Sequence, residues 1–216
     1  MTLSNFIFVL EIVGTISFAV SGVIVARHHK MDVFGALMLG CTSAVGGGLI
    51  RDLILGCTPP MMFQNPVYVT TAAITSLVFF TIMYLHQNVP GYEEHMKTRT
   101  LRLINISDTA GLAAFVVVGS RSAYEMGYGD NLVLCIFVGT LTGIGGGILR
   151  DVLAAQISTV MSRHIYGLAA IIGAVVYCCM IHYDVHYIIA SLASMAATSL
   201  IRYLAIRYRL NLPAFH

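Results

Sequence analysis

The 216-residue chain is short of charge: Asp, Glu, Lys and Arg make up 10% of it against 57% hydrophobic residues, and its mean hydropathy is +0.82. A soluble globular domain carries about 25% charged residues, so that class is excluded. With a formal net charge of only +2, a nucleic-acid partner is excluded too. Metal-ligand spacing is missing: of the eight histidines only His182 and His186 stand four apart, across a short turn, and a zinc ion needs three or four ligands. The five cysteines (Cys41, Cys57, Cys135, Cys178, Cys179) are odd in number and lie mostly in apolar runs, so they read as small helix residues rather than disulfides. Paired catalytic carboxylates and a nucleophile beside a base are also missing, so nothing points to an enzyme, a metal or a cofactor. No Lys or Arg precedes the first apolar run, and Arg27-His28-His29-Lys30 follows it, the flanks of a retained span rather than a cleaved signal peptide.

What the chain has instead is long apolar runs. A bilayer core of about 30 Å takes about 20 helical residues, and runs of that order lie at Asn5–Ala26, Val33–Leu55, Val67–Leu85, Leu103–Ser120, Asn131–Leu153, Ile165–Ile181 and Val185–Ile206. The reading is an all-α integral membrane protein of seven transmembrane helices. Threaded through them, Arg27, Lys30, Lys97, Arg99, Arg102, Arg150, Arg163, Arg202, Arg207 and Arg209 fall toward one side, and Arg51 and Arg121 toward the other. Basic residues mark the cytoplasmic side, which puts the N-terminus outside and the C-terminus inside a cell (inner) membrane.

The segment Gly46-Gly47-Gly48-Leu49-Ile50-Arg51-Asp52 returns 99 residues later as Gly145-Gly146-Gly147-Ile148-Leu149-Arg150-Asp151. Glu11 to Gly14 and Phe18 to Gly22 are echoed 97 residues on by Asp108 to Gly111 and Phe115 to Gly119. Two units follow, 1–86 and 103–182, joined by a polar cytoplasmic linker at 87–102. The seventh helix and tail, 183–216, have no counterpart. Each unit holds three spans, an odd number, so the second enters the membrane from the opposite side: an inverted repeat about a pseudo-two-fold axis in the membrane plane.

Three successive glycines are poor helix formers, so the second and fifth helices are expected to break at Gly46–Gly48 and Gly145–Gly147 and to uncover backbone carbonyls. Such carbonyls replace part of a cation's hydration shell, with Thr42, Ser43, Thr140 and Thr142 lining a narrow polar path beside them. The alternative is that the glycines only let helices pack closely, as Gly139 and Gly143 would in a Gly-x-x-x-Gly contact. Arg51, Asp52, Arg150 and Asp151 are costly in lipid, about 2.5 to 3.5 kcal/mol each, and such residues usually face a cavity and pair. Neighbours at i and i+1 on a helix point apart, so the partners of the arginines are expected on other helices, among Asp151, Asp52, Glu11 and Asp108.

These residues resemble the trimeric intracellular cation channel (TRIC) family in its prokaryotic branch, also known as glycine-transporter-domain membrane proteins. The resemblance rests on both Gly-Gly-Gly-x-x-Arg-Asp segments, the three-plus-three-plus-one helix count and the outside N-terminus, and covers nearly the whole chain. It implies a homotrimer in which each subunit has its own hydrophilic pore, lined by kinked second and fifth helices and passing monovalent cations such as K+. Sequence alone does not separate K+ from Na+. Animal members carry a Lys-containing motif in the first broken helix and respond to a phosphoinositide; this chain has Arg-Asp in both halves, so that regulation does not transfer.

Other features carry less. Gly127-Tyr128-Gly129-Asp130 matches the end of a potassium-channel filter but lacks the preceding Thr-Val and pore helix, and Asp130 reads as a helix N-cap. Arg202, Arg207 and Arg209 with Tyr203 and Tyr208 read as an anchor against membrane lipid. Ala190, Ser194 and Thr198 form a small-residue stripe suited to close packing within or between subunits. The expectation is a cation channel; the alternative is a secondary transporter of a small zwitterion such as glycine, its carboxylate held at a half-helix N-terminus.

Overall fold

The computed structural model describes residues 3–86, 92–156, 165–208 and 210. The helices are α1 (Leu3–His28), α2 (Val33–Leu55), the single turn α3 (Met61–Gln64), α4 (Val67–His86), α5 (Tyr92–Ala123), α6 (Leu132–Leu153), α7 (Tyr166–His182) and α8 (Tyr187–Arg207), with a π-type turn at Tyr124–Tyr128 closing α5. Six are long and apolar enough to cross a membrane, and α7 is a shorter apolar helix. Each span read from the sequence coincides with one of them. The exception in extent is α5, which begins at Tyr92, inside the stretch expected to be a polar linker. Residues 87–91 of that linker, Arg163, Arg209 and 211–216 of the tail lie outside the described residues.

Local chemistry sets the helix ends. Asp32 caps α2 by accepting the Gly35 N–H at 2.7 Å, and Gly56 ends it at φ +76°, a left-handed conformation glycine takes without steric cost. α6 is capped by Asn131, whose Oδ1 accepts the Leu134 N–H at 3.0 Å; the cap expected at Asp130 thus belongs to its neighbour.

The unwinding expected at the two glycine triplets does not occur: α2 and α6 run unbroken through them. A glycine costs a helix about 1 kcal/mol in water, whereas a backbone hydrogen bond left unmade in an apolar surrounding costs several, so the helix prevails. The triplets serve the crossing of α2 and α6, which run antiparallel. A methyl group on Gly47 would overlap the Thr142 carbonyl oxygen, and one on Gly146 the Ser43 carbonyl oxygen. Beside them, a methyl on Gly46 would lie 2.6 Å from Leu149 Cδ1 and one on Gly145 2.8 Å from Ile50 Cδ1. Gly46 and Gly47 of the first triplet and Gly145 and Gly146 of the second are thus closely packed, and Gly139 and Gly143 pack in the same way against Ser120, Val116 and Leu112 of α5.

α1 and α5 meet in the same reciprocal fashion. Phe18 and Phe115 stack with ring centroids 5.6 Å apart, and each ring covers the other helix's glycine: a methyl on Gly14 would be 2.6 Å from Phe115 and one on Gly111 2.8 Å from Phe18. These glycine and ring contacts are reciprocal: each has its counterpart when the residues of the two halves are exchanged. α4 covers α1 and α2, α7 covers α6, and α8 packs on α7 and α5. The small-residue stripe of α8 is spent inside the subunit: Ser194 Oγ donates to the Gly173 carbonyl at 2.8 Å, and Ala190, Ser194 and Thr198 are buried.

Candidate functional site

Two ionic clusters lie on opposite sides of the α2–α6 crossing, each built from one Arg-Asp pair and one carboxylate from the adjoining helix. In the first, Arg51 Nε donates to Asp52 Oδ1 at 2.8 Å and its Nη1 reaches Glu11 Oε1 on α1 at 3.5 Å. Tyr68 OH on α4 donates to the other Glu11 oxygen, and the Met61 N–H at the start of α3 donates to Asp52 Oδ2 at 2.7 Å. In the second, Arg150 Nε donates to Asp151 Oδ1 at 2.9 Å, and its Nη1 donates to Asp108 Oδ1 on α5 at 2.6 Å and to Ser21 Oγ on α1 at 2.5 Å. Gln156 Nε2 donates to Asp151 Oδ1 at 2.8 Å.

The pairing with Glu11 and Asp108 is the cross-helix pairing expected from the cost of burying charge. The expectation that Arg51 and Asp52, or Arg150 and Asp151, cannot pair within their own helix is overturned. The arginine stem is long enough to fold back so that Nε meets the next residue's carboxylate while Nη1 continues to the neighbouring helix. Burial makes this worthwhile, since a carboxylate left unpaired there costs more than the bent stem.

The two clusters differ in access. Glu11, Arg51, Asp52 and Tyr68 line a small pocket whose lining also includes Thr15 and Gly48 and, from the second half, Phe115 and Thr142. The Glu11 side chain keeps 13% of its surface exposed, whereas the side chains of Arg150, Asp108 and Asp151 keep 1%, 3% and 0%.

The hydroxyl residues expected along a polar path are divided. Ser43 and Thr142 sit at the crossing itself, fully buried, with Thr142 Oγ1 donating to the Val138 carbonyl at 2.7 Å. Among the described residues the buried hydroxyls of Ser43 and Thr140 have no hydrogen-bond partner, and Thr42 is half-buried. Of these four, Thr142 lines the pocket. Of the glycines, Gly48 is the one that faces it, and Gly46, Gly47, Gly145, Gly146 and Gly147 are not among its walls.

Four participants escaped the sequence reading. Tyr68, Ser21 and Gln156 each complete a cluster, and Arg202, expected at the membrane surface, is 3% exposed with its guanidinium 4.5 Å above the ring of buried Tyr166. A signal for one of them was present: Tyr68 and Tyr166 lie 98 residues apart, in register with the repeat.

A family model described as "Glycine transporter" matches the chain at residues 8–84 and 105–182. The UPF0126 inner membrane protein YadS of Escherichia coli K12 is 38% identical over 207 residues, 95% of this chain and 94% of that one. Among solved structures, the TRIC trimeric intracellular cation channel orthologue from Rhodobacter sphaeroides is 32% identical at a TM-score of 0.83, covering 95% of this chain and 100% of that one. A prokaryotic TRIC channel crystallised in 0.5 M KCl is 29% identical at a TM-score of 0.84, covering 97% and 100%.

Proposed function

The chain belongs to the glycine-transporter family that includes the UPF0126 membrane proteins and the prokaryotic TRIC channels, and we propose that it is a cation channel of a bacterial inner membrane, passing monovalent cations with K+ as the first candidate. The observation that carries this is the charge balance of the two clusters. Each sets two carboxylates against the one guanidinium of its own motif, Glu11 and Asp52 with Arg51 and Asp108 and Asp151 with Arg150; the first so bears one net negative formal charge, while at the second Arg202 also faces Asp108. Acidic groups at both approaches to a constriction raise the local cation concentration and repel anions.

In this reading the path runs through each subunit, from the Glu11 pocket past the α2–α6 crossing to the Asp108 cluster, and the subunit assembles as a homotrimer as its structural relatives do by name. The halves form an inverted repeat, supported by the reciprocal contacts of α1 with α5 and α2 with α6, and the basic residues favour an outside N-terminus. The glycines, packed backbone to backbone, act as the closed constriction. Permeation requires α2 and α6 to bend or slide apart there, a motion glycine's missing side chain permits. Ser43 and Thr142, at the crossing, offer hydroxyls to a dehydrating ion once they part.

The experiment is recording from purified protein in planar bilayers under asymmetric KCl. Discrete current steps with a reversal potential on the K+ side support the channel; steps reversing on the Cl− side overturn it. A second reading has its own observation: the pocket sets a guanidinium and a carboxylate, Arg51 and Glu11, side by side next to the packed crossing, and the family model carries a transporter's description. In that case a glycine carboxylate would meet Arg51 and its ammonium Glu11. Absence of current together with saturable glycine uptake into vesicles of the same preparation would select it.

A further inference from the structure

We propose that two equivalent side-chain latches, Gln156 on His29 and Cys57 on Met126, hold the α2–α6 crossing closed, and that the first is the stronger. α2 and α6 end in the same way. The Cys57 N–H reaches back to the Asp52 carbonyl at 2.8 Å and the Gln156 N–H to the Asp151 carbonyl at 3.0 Å, each just past a residue in the left-handed region, Gly56 at φ +76° and Ala155 at φ +51°. This Schellman arrangement fixes the backbone from which the next side chain leaves the helix. Both of those side chains cross to the other half. Cys57 Sγ donates to Met126 Sδ, just after α5, at 3.3 Å, and Gln156 Oε1 stands 3.2 Å from His29 Nε2, just after α1. His29 and Met126 in turn each precede a left-handed residue, Lys30 at φ +54° and Gly127 at φ +87°. Met126 follows His29 by 97 residues and Gln156 follows Cys57 by 99, the two offsets of the repeat. One cross-half contact is thus made twice, once at each end of the crossing, with different chemistry.

That chemistry grades the two. A thiol is a weak donor and a thioether a weak acceptor, so the contact at the pocket end parts easily. The Gln156 amide makes two bonds. A carboxylate only accepts, so the Nε2 that meets Asp151 Oδ1 at 2.8 Å donates, and Oε1 accepts from His29 Nε2. Gln156 therefore ties the α1–α2 turn to the sealed Asp108–Arg150–Asp151 cluster. At the pocket end Asp52 receives the Met61 N–H instead of a side chain from position 57. α2 and α6 part only when their ends leave the facing half, which makes Gln156 a positioning residue for the closed state; its gating role rests on conduction past the crossing.

The test pairs single-channel recording with hydrogen exchange read by mass spectrometry, both on the full-length protein in lipid. Gln156→Ala is expected to raise the open probability about tenfold, the scale of one hydrogen bond to a charged group, with the reversal potential unchanged and faster amide exchange over the last turns of α6. Cys57→Ala should raise it about twofold, the scale of a weak contact. His29→Ala acts through the same bond as Gln156→Ala, so the double variant should open no more than Gln156→Ala alone. His29→Gln, whose amide also donates, should restore most of the closed population. Unchanged open probability and exchange in Gln156→Ala would overturn the latch, as would effects of His29→Ala and Gln156→Ala that add. A larger rise for Cys57→Ala than for Gln156→Ala would overturn the ranking. If the wild type passes no current, the channel reading falls and exchange alone decides the latch: faster exchange at the end of α6 in both Gln156→Ala and His29→Ala upholds it, and unchanged exchange overturns it. Should Gln156→Ala not fold, His29→Ala, at an exposed position, is read in the same two assays, with about a threefold rise in open probability expected.

Discussion

The Glu11–Arg51–Asp52 and Asp108–Arg150–Asp151 clusters use the same residue types at equivalent positions of a duplicated unit, yet one opens into a pocket and the other is sealed. The first has a tyrosine hydroxyl on its acid and exposed surface at Glu11. The second is closed over by Ser21 and Gln156, with Tyr166 of α7 and Arg202 of α8 nearby. The eighth helix, which has no counterpart in the first half, adds Arg202 to the surroundings of the second cluster alone. Surroundings rather than motif therefore decide how accessible an intramembrane ion cluster is while the α2–α6 crossing is closed.

The strongest way to break that comparison is to remove each arginine. Arg150→Ala strands Asp108 and Asp151 in a dry interior, and a buried ion pair broken at one partner costs about 3–5 kcal/mol. Arg51→Ala should cost less, because water in the pocket can reach Glu11. Denaturant or thermal unfolding in detergent checks this, and equal losses would show that the pocket is no more solvated than the sealed cluster.

The glycine crossing gives the next effect. Gly47→Ala and Gly146→Ala each push a methyl into a backbone carbonyl and should each destabilise by about 1–3 kcal/mol, by similar amounts because the contacts are reciprocal. Gly48→Ala is the control. A methyl there has only Arg51 Nη2 at 3.9 Å within reach, so the variant should be neutral or gain up to about 1 kcal/mol of helix propensity. A loss at Gly48 equal to that at Gly47 would favour an unwound α2 over a packed one.

Smaller still is the tyrosine pair. Tyr68→Phe removes a hydrogen bond to a carboxylate and should cost about 1–2 kcal/mol. Tyr166→Phe removes a buried hydroxyl with no hydrogen-bond partner among the described residues and should be neutral or stabilising. Unfolding of the two variants side by side reads the difference, and a larger loss for Tyr166→Phe would mean that its hydroxyl joins the sealed cluster.

The helix positions were legible because hydropathy and span length are one-dimensional properties, and the helix-to-helix pairing of the arginines followed from the cost of charge in lipid. The glycine triplets were misread because propensity measured in water says nothing about a facing backbone. Whether Gly47 unwinds or packs depends on Thr142, 95 positions away in the chain. Ser21 and Tyr68 were passed over as single polar residues in apolar helices, where only the rotation of the helix tells a lipid-facing hydroxyl from a cluster member. Arg202 looked like a surface anchor because it shares the last turns of α8 with Arg207, Tyr203 and Tyr208, and only the packing of α8 on α7 shows that its face turns inward.

The most direct measurement is the reversal potential of single channels under asymmetric KCl for the wild type, for Glu11→Gln, and for Glu11→Gln with Asp108→Asn. If negative charge at both ends of the crossing selects cations, the reversal potential starts on the K+ side and moves toward zero in two steps as the carboxylates are neutralised. A selectivity that stays on the K+ side unchanged in the double variant would contradict it and place the conducting path elsewhere in the molecule.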